Sequence, residues 1–387
     1  MEAKKIVDFI RGTFGENEAF IPLHAPYFGR NEKKYVLDTI DSTFVSSVGS
    51  YVNRFEEMMT EITGAEFAIA TVNGTTALHL ALVLAGVKHG EEVITQPLTF
   101  VATANAISHA GGVPVFVDVD RNTMGMSPLA LEQFLETNCI VSDKGECINR
   151  ISGRRIAACL PMHTFGFPLE IKDIVNLCRK YNIVVVEDAA ESLGSYIGDS
   201  HTGILGEIGV FSFNGNKTVT CGGGGAIVTN NKAIAQRAKH LSTTAKVPHA
   251  WEFVHDDVAF NYRMPNLNAA LACAQLEQLG EFLENKRNLA HIYKSFFEKS
   301  DIVFFEEKEG TKANYWLNTL IFKDKAAQLD FLETSNAGKV MTRPIWRLMN
   351  KLPMYSHCMT GDLTNALWLE ERVVNIPSSV RKNKLKK

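Results

Sequence analysis

Apolar positions in the chain first fall at helical spacing. Ile6, Phe9, Ile10 and Phe14 share one face of residues 1–14, and a helix with that stripe is expected to dock onto the body of the protein. After an extended stretch at 21–26, helical spacing returns over 31–41 (Tyr35, Val36, Ile40) and over 51–64. Then the period changes. A short apolar run, 67–72, ends at Asn73-Gly74-Thr75-Thr76 and gives way to an apolar helix over 77–85. Strand-like segments at 92–96, 114–119, 155–162 and 183–187 then alternate with helix-like segments at 100–109 and 171–181. Strands separated by helices of about ten residues predict a mostly parallel sheet covered on both faces. Such sheets seat ligands beyond the carboxyl ends of their strands. Three polar punctuation points fall at such ends, at 73–76, 187–191 and 212–217.

From about Leu241 the rhythm is different. Helices are expected over 266–279 and 282–299, followed by short strands at 315–322, which together suggest a second α+β domain. A chain of 387 residues is too long for one compact domain of roughly 100–200 residues. The expected organisation is an N-terminal helical extension (1–20), a large domain (21–245) and a smaller C-terminal domain (246–387). The basic tail, 381–387, is expected to be a solvated end.

Charge narrows the partners. Lys plus Arg number 40 and Asp plus Glu 43, a net charge of −3, so nothing draws the chain to nucleic acid or to an anionic membrane surface. Small molecules and other proteins are the expected partners. No apolar run approaches the ~20 residues of a membrane span, and the N-terminus has the pattern of neither a signal nor a transit peptide. The seven cysteines form no CxxC pair and no zinc-like spacing, and the eleven histidines include no HExxH. Free thiols in a reducing compartment, hence a cytoplasmic protein with no metal, are expected.

Three segments carry candidate chemistry. Residues 211–225 read FSFNGNKTVTCGGGG. Phe211, Phe213, Val219 and Cys221 flank a single lysine, Lys217, and would enclose at least its stem. Enclosure favours the neutral amine, the nucleophile of Schiff-base chemistry, although a lone lysine is more commonly a surface charge. The glycine run lacks the order of a P-loop. Residues 184–194 read VVVEDAAESLG and place Asp188 at a strand mouth, where its carboxylate either meets a cationic ligand group or caps a following helix. Residues 70–80 read ATVNGTTALHL. Small hydroxyl residues there open an apolar helix, which describes either an anion site at a helix N-terminus or ordinary capping.

A phosphate cup, an aspartate at a strand end and a lysine in an FSF-containing turn, in that order, resemble the pyridoxal 5′-phosphate (PLP) enzymes of the aspartate aminotransferase fold. In detail the chain is similar to the DegT/DnrJ/EryC1/StrS family of nucleotide-sugar aminotransferases, from about residue 21 to 379. The resemblance rests on NGTTALHLAL (73–82), TFVATANAI and PVFVDVD within 99–120, VEDAAESLGS (186–195), FSFNGNKTVTCGGGG (211–225) and FNYRMPNLNAALACAQLEQL (260–279). The 22–56 and 243–271 segments look like a subgroup making 4-amino sugars for legionaminic acid- or bacillosamine-type pathways.

The resemblance implies an α/β, fold type I transferase with a mostly parallel mixed sheet and a smaller C-terminal domain. Residue by residue, it implies that Lys217 is the Schiff-base lysine and acid/base, and that Asp188 pairs with the cofactor's ring nitrogen. Phe100 would stack on the ring, and Gly74, Thr75 and Ser212 would hold the phosphate. Glu191 stands where many relatives carry Gln or His beside the cofactor's 3-oxygen, a departure that requires a proton or a cationic neighbour. Asn261 matches an asparagine donated across a homodimer interface to the phosphate. His163, Arg343 and Trp346 are candidate substrate contacts, with alternative readings as loop or small-domain structure. The expected activity is transfer of an amino group from L-glutamate to C4 of a UDP-linked 4-keto-6-deoxy-hexosamine. Two alternatives belong to other classes. A dehydratase relative would carry His in place of Lys217, and a non-catalytic PLP-binding regulator would need an appended DNA-binding module, for which there is no segment.

Overall fold

The computed structural model describes residues 1–381. Seven strands make the principal sheet: β1 (Phe67–Thr71), β2 (Glu92–Thr95), β3 (Val113–Phe116), β4 (Ile156–Leu160), β5 (Val184–Asp188), β6 (Ile208–Ser212) and β7 (Gly225–Thr229). Their order is β1-β7-β6-β5-β4-β2-β3. The pairs β6–β5, β5–β4, β4–β2 and β2–β3 are parallel, whereas β7 runs antiparallel to both β1 and β6. Six strands therefore point one way, and their carboxyl ends share one edge. Residues in β2, β4 and β7 are buried throughout, as expected for strands with helices on both faces.

Helices α1 (Ala3–Phe14), α2 (Glu32–Asp41) and α3 (Ser50–Thr63) precede the sheet. The helix after β1, α4 (Gly74–Leu84), starts three residues earlier than its apolar pattern suggests. Asn73 is the reason: its side chain accepts the Thr76 N–H at 2.9 Å and caps the helix. The other crossover helices are α5 (Val101–His109), α6 (Pro128–Asn138), α7 (Ile171–Lys180) and α8 (Lys232–Ser242).

A second sheet follows, with β8 (Val303–Phe304), β9 (Asn318–Ile321), β10 (Arg343–Pro344) and β11 (Val373–Ile376) in the antiparallel order β8-β9-β11-β10. It is backed by α10 (Leu279–Phe297), α11 (Lys325–Ala337) and α12 (Thr364–Glu370). Ile6 and Ile10 of α1 are fully buried in the core of this second layer, with Phe304, Leu320 and Phe331. Burial of each is worth roughly 1.5–3 kcal/mol, so α1 is an integral part of that layer. By contrast α9 (Asn266–Leu276), although it follows residue 245, shares a core with Phe55, Phe211 and Phe213 of the larger body. Arg381 is not the start of a solvated tail. It is 8% exposed, its N–H donates to Asn285 Oδ1 at 2.9 Å and its guanidinium donates to Asn288 Oδ1 at 2.6 Å. The rest of the predicted tail lies outside the described residues, and among these no helix is long and apolar enough to cross a membrane.

Candidate active site

The shared edge of the sheet opens into a cavity of about 400 Å³, walled by residues that follow β1, β2, β4, β5 and β6 and by two tryptophans from the second layer. At its β1 side the first N–H groups of α4, at Gly74 and Thr75, have no acceptor within the helix. Ser212 faces them from the end of β6. A Cβ on Gly74 would lie 2.8 Å from Ser212 Cβ, and one on Gly225 would lie 2.5 Å from Asn73 O. Glycine at both positions keeps this corner open and lets β7 close against the β1–α4 turn.

Asp188 ends β5 and is 2% exposed. No helix follows it, so the capping alternative reduces to a turn: Oδ1 accepts the Ala190 N–H at 3.1 Å, while Oδ2 accepts the Thr103 hydroxyl at 2.7 Å. Burial raises its pKa, and those two donors with the nearby Lys217 charge offset only part of that.

Lys217 sits in a loop between β6 and β7, tied down by the Phe213 N–H to Gly224 O at 2.9 Å and the Cys221 N–H to Phe213 O at 3.0 Å. Its side chain is 12% exposed, with Nζ 3.3 Å from Glu191 Oε1 and 4.1 Å from the centre of the Trp316 ring. The cationic neighbour that a carboxylate at 191 requires is thus Lys217 itself. Glu191 Oε2 accepts the Phe165 N–H at 2.9 Å. Burial pushes the Glu191 carboxyl up to about 7, against the opposing pull of Lys217.

Trp316 is fixed from both ends, its indole N–H donating to Asn216 O and its backbone N–H to Asn314 Oδ1, both at 2.7 Å. Behind it the fully buried Lys286 donates to Trp316 O at 3.2 Å and Ser378 O at 2.6 Å, and burial pushes its ammonium down to about 7. Both ring nitrogens of His24 are buried without a hydrogen-bond partner. Burial, then the charges of Lys286 and Lys217, hold that imidazole well below its usual range.

The structure brings Gly74, Thr75, Phe100, Asp188, Glu191, Ser212, Lys217 and Trp346 to one cavity. Three other candidates lie elsewhere. His163 is fully buried and turned away: its Nδ1 accepts the Leu169 N–H at 3.2 Å, so Nε2 carries the proton and donates to Glu187 Oε2 at 2.9 Å. Adjacent strand residues point to opposite faces, and His163 pairs with Glu187 rather than sharing Asp188's side. Arg343 is exposed on β10 and is not on the cavity wall. Asn261 is exposed as well, accepting the Arg263 Nε–H at 2.9 Å, and stands off the cavity of its own chain. Trp316, Phe165, Thr103 and His24 are additions to the sequence-derived set. Trp316 fell within an expected strand, 315–322, where an aromatic reads as core.

The chain belongs to the DegT/DnrJ/EryC1/StrS aminotransferase family, whose model matches residues 26–384. It is 36% identical to a GDP-perosamine synthase of Escherichia coli O157:H7, with 93% of each chain covered. A GDP-perosamine synthase of Vibrio cholerae is 33% identical, with 92% of this chain and 94% of that one covered. Among solved structures, the aminotransferase TlmJ of Streptoalloteichus hindustanus superposes with a TM-score of 0.84 at 24% identity, covering 93% of this chain and 94% of that one. The protein is a PLP-dependent sugar aminotransferase of the fold type I class.

Proposed function

We propose that this enzyme moves an amino group from L-glutamate to C4 of a nucleotide-linked 4-keto-6-deoxyhexose. The observation that carries the reading is the convergence, at the strand ends of one cavity, of a lysine amine, a buried aspartate and an anion corner. That donor set fits PLP. The glycine-lined corner at Gly74 and Ser212 leaves space for a phosphate against the N–H groups of α4. Gly74, Thr75 and Ser212 would hold the phosphate, Phe100 would lie against the ring, and Asp188 would hold a proton on the ring nitrogen. When bound, the cofactor supplies an electron sink for the carbon that loses its proton. Lys217 Nζ would anchor the cofactor and move the proton at the reacting carbon. A lysine at 217 weighs against the dehydratase alternative.

The sequence segments that resemble the 4-amino-sugar subgroup favour a UDP-linked substrate. A second reading has its own support: relatives covering 92–93% of the chain are named GDP-perosamine synthase, which favours a GDP-linked sugar. We further propose a homodimer with shared sites. Its support is the exposed Asn261 and a nearby exposed apolar surface, with Trp251 78%, Phe253 79% and Val258 89% accessible. Seven buried free thiols support a reducing, cytoplasmic setting. The test is amino transfer from glutamate to UDP- and GDP-linked 4-keto sugars, followed by mass spectrometry. The native protein should aminate one of them, and Lys217→Ala should neither aminate nor show the visible absorbance of bound cofactor. Full turnover by Lys217→Ala would refute the assignment.

A further inference from the structure

Glu191 lies three residues beyond the end of β5 and is 3% exposed. A carboxylate so enclosed needs donors, and it has one on each oxygen. One is the Phe165 N–H at 2.9 Å, reached with Phe165 in the left-handed backbone region at φ 56°. A bulky residue in that region costs on the order of 1 kcal/mol. The other is the Lys217 ammonium at 3.3 Å. Asp188 is the second acid facing this space, but its oxygens are engaged by Thr103 and Ala190. Among the described residues, Glu191 is the only carboxylate within 4.0 Å of Lys217 Nζ. The Trp316 ring, its centre 4.1 Å from that nitrogen, has no proton to exchange in this range, and His24 shares no hydrogen bond with it.

We propose that Glu191 is the proton acceptor for the Lys217 amine. This inference rests on the reading of Lys217 as the nucleophile. An ammonium has no lone pair, so Lys217 must lose a proton before its nitrogen can attack a carbonyl carbon. In that step one N–H bond breaks and one O–H bond forms. The ion pair becomes a neutral amine beside a neutral carboxylic acid, with no change in net charge or oxidation state. When Lys217 is released as an amine, the proton returns. Burial suits Glu191 to this, since a carboxyl lifted to about 7 exchanges its proton readily in both directions near neutral pH. Gln at 191 could still hydrogen-bond the amine but could not take its proton.

The test is the rate at which cofactor-free protein captures added PLP, followed by absorbance in a stopped-flow instrument between pH 5.5 and 9. Glu191→Gln should slow capture at pH 7 by roughly 100-fold and remove the inflection near neutrality. Formate added to Glu191→Ala should restore the rate in proportion to its concentration. Capture by Glu191→Gln within twofold of native, with the inflection intact, would overturn the proposal. If Glu191→Gln fails to fold by circular dichroism, the formate series decides alone, and no rescue overturns it. Lys217→Ala separates the two levels. A coloured adduct formed by that variant at the native rate would mean the lysine assignment is wrong, whereas its absence with unchanged Glu191→Gln kinetics would remove only the role of Glu191.

Discussion

Acidification from pH 7.5 to 5 should cost the fold about 2 kcal/mol through one side chain, His201, at roughly 1.4 kcal/mol per pKa unit. His201 is 1% exposed, and its Nε2 accepts the Gly194 N–H at 2.7 Å. That fixes the tautomer, so Nδ1 carries the proton and donates to Thr202 O at 2.6 Å. Burial is the main influence on its pKa, which is lowered to about 4; the Thr202 carbonyl and the charge of Glu187 oppose this and His163 adds to it. The folded value lies below the unfolded one, near 6.5. The contribution of His201 is therefore fully present above about pH 6.5. It is lost as pH falls toward the folded value, because only the unfolded chain takes up the proton. Gly194, with φ 84°, ends the turn that carries Asp188 and Glu191, so the His201 contact lies against the active-site turn.

The assay is urea unfolding of cofactor-free protein at pH 7.5 and 5, at one protein concentration, for native protein and His201→Gln. Gln can place an oxygen near Nε2 to accept the Gly194 N–H, but it does not titrate. All other groups change alike in both proteins, so the difference between the two pH-dependent losses isolates His201. Native protein should lose about 2 kcal/mol more than the variant. Equal losses, within about 0.5 kcal/mol, would mean that the imidazole charges freely in the folded state and would refute the reasoning.

Two further outcomes bear on the site. Gly74→Ala should fold normally yet bind PLP at least tenfold more weakly in equilibrium dialysis, because its Cβ would crowd Ser212 at 2.8 Å; unchanged affinity in this variant would refute the anion corner. Mixing Lys217→Ala with Asn261→Ala chains should give hybrid dimers with one intact site, and hence activity above the mean of the parents; if mass spectrometry confirms hybrids without that gain, Asn261 does not act across an interface.

Much of the fold was legible because the sheet is covered on both faces. Runs such as 155–162 and 183–187 are apolar on both sides of the strand and are bounded by polar residues, so their period could not be mistaken for a surface helix. Lys217, Asp188 and the Gly74 corner were legible for a related reason: each interrupts an apolar segment at the end of a strand, where a parallel sheet leaves ligands room. The boundary at 245 was less legible. The apolar face of α9 announces a helix, but nothing local says whether it covers Phe211 and Phe213 or the later sheet.

His163 shows why a position at the right edge is insufficient. Its sequence neighbourhood gives the end of a strand, whereas its role depends on which face its partner occupies. Glu187 and Asp188 are adjacent and point oppositely, and Glu187 also collects N–H groups from Gly203, Leu205 and Gly206 at 2.6–2.8 Å. Burial works to raise the Glu187 carboxyl, yet His163 and those donors hold it below its ordinary range. A histidine beside so strong an anion is drawn into structural service, away from the cavity. Trp316 and Lys286 were hidden by the converse effect. Each reads as ordinary core or surface from its neighbours in sequence; Trp316 acquires its place near the amine because residues about one hundred positions apart are joined by Trp316 Nε1 and Asn216 O, and Lys286 is tied in behind it through Trp316 O. The sheet edge therefore assigns which residues meet the ligand, whereas the surroundings of Lys217 Nζ depend on long-range packing that brings Glu191 and Trp316 against that nitrogen.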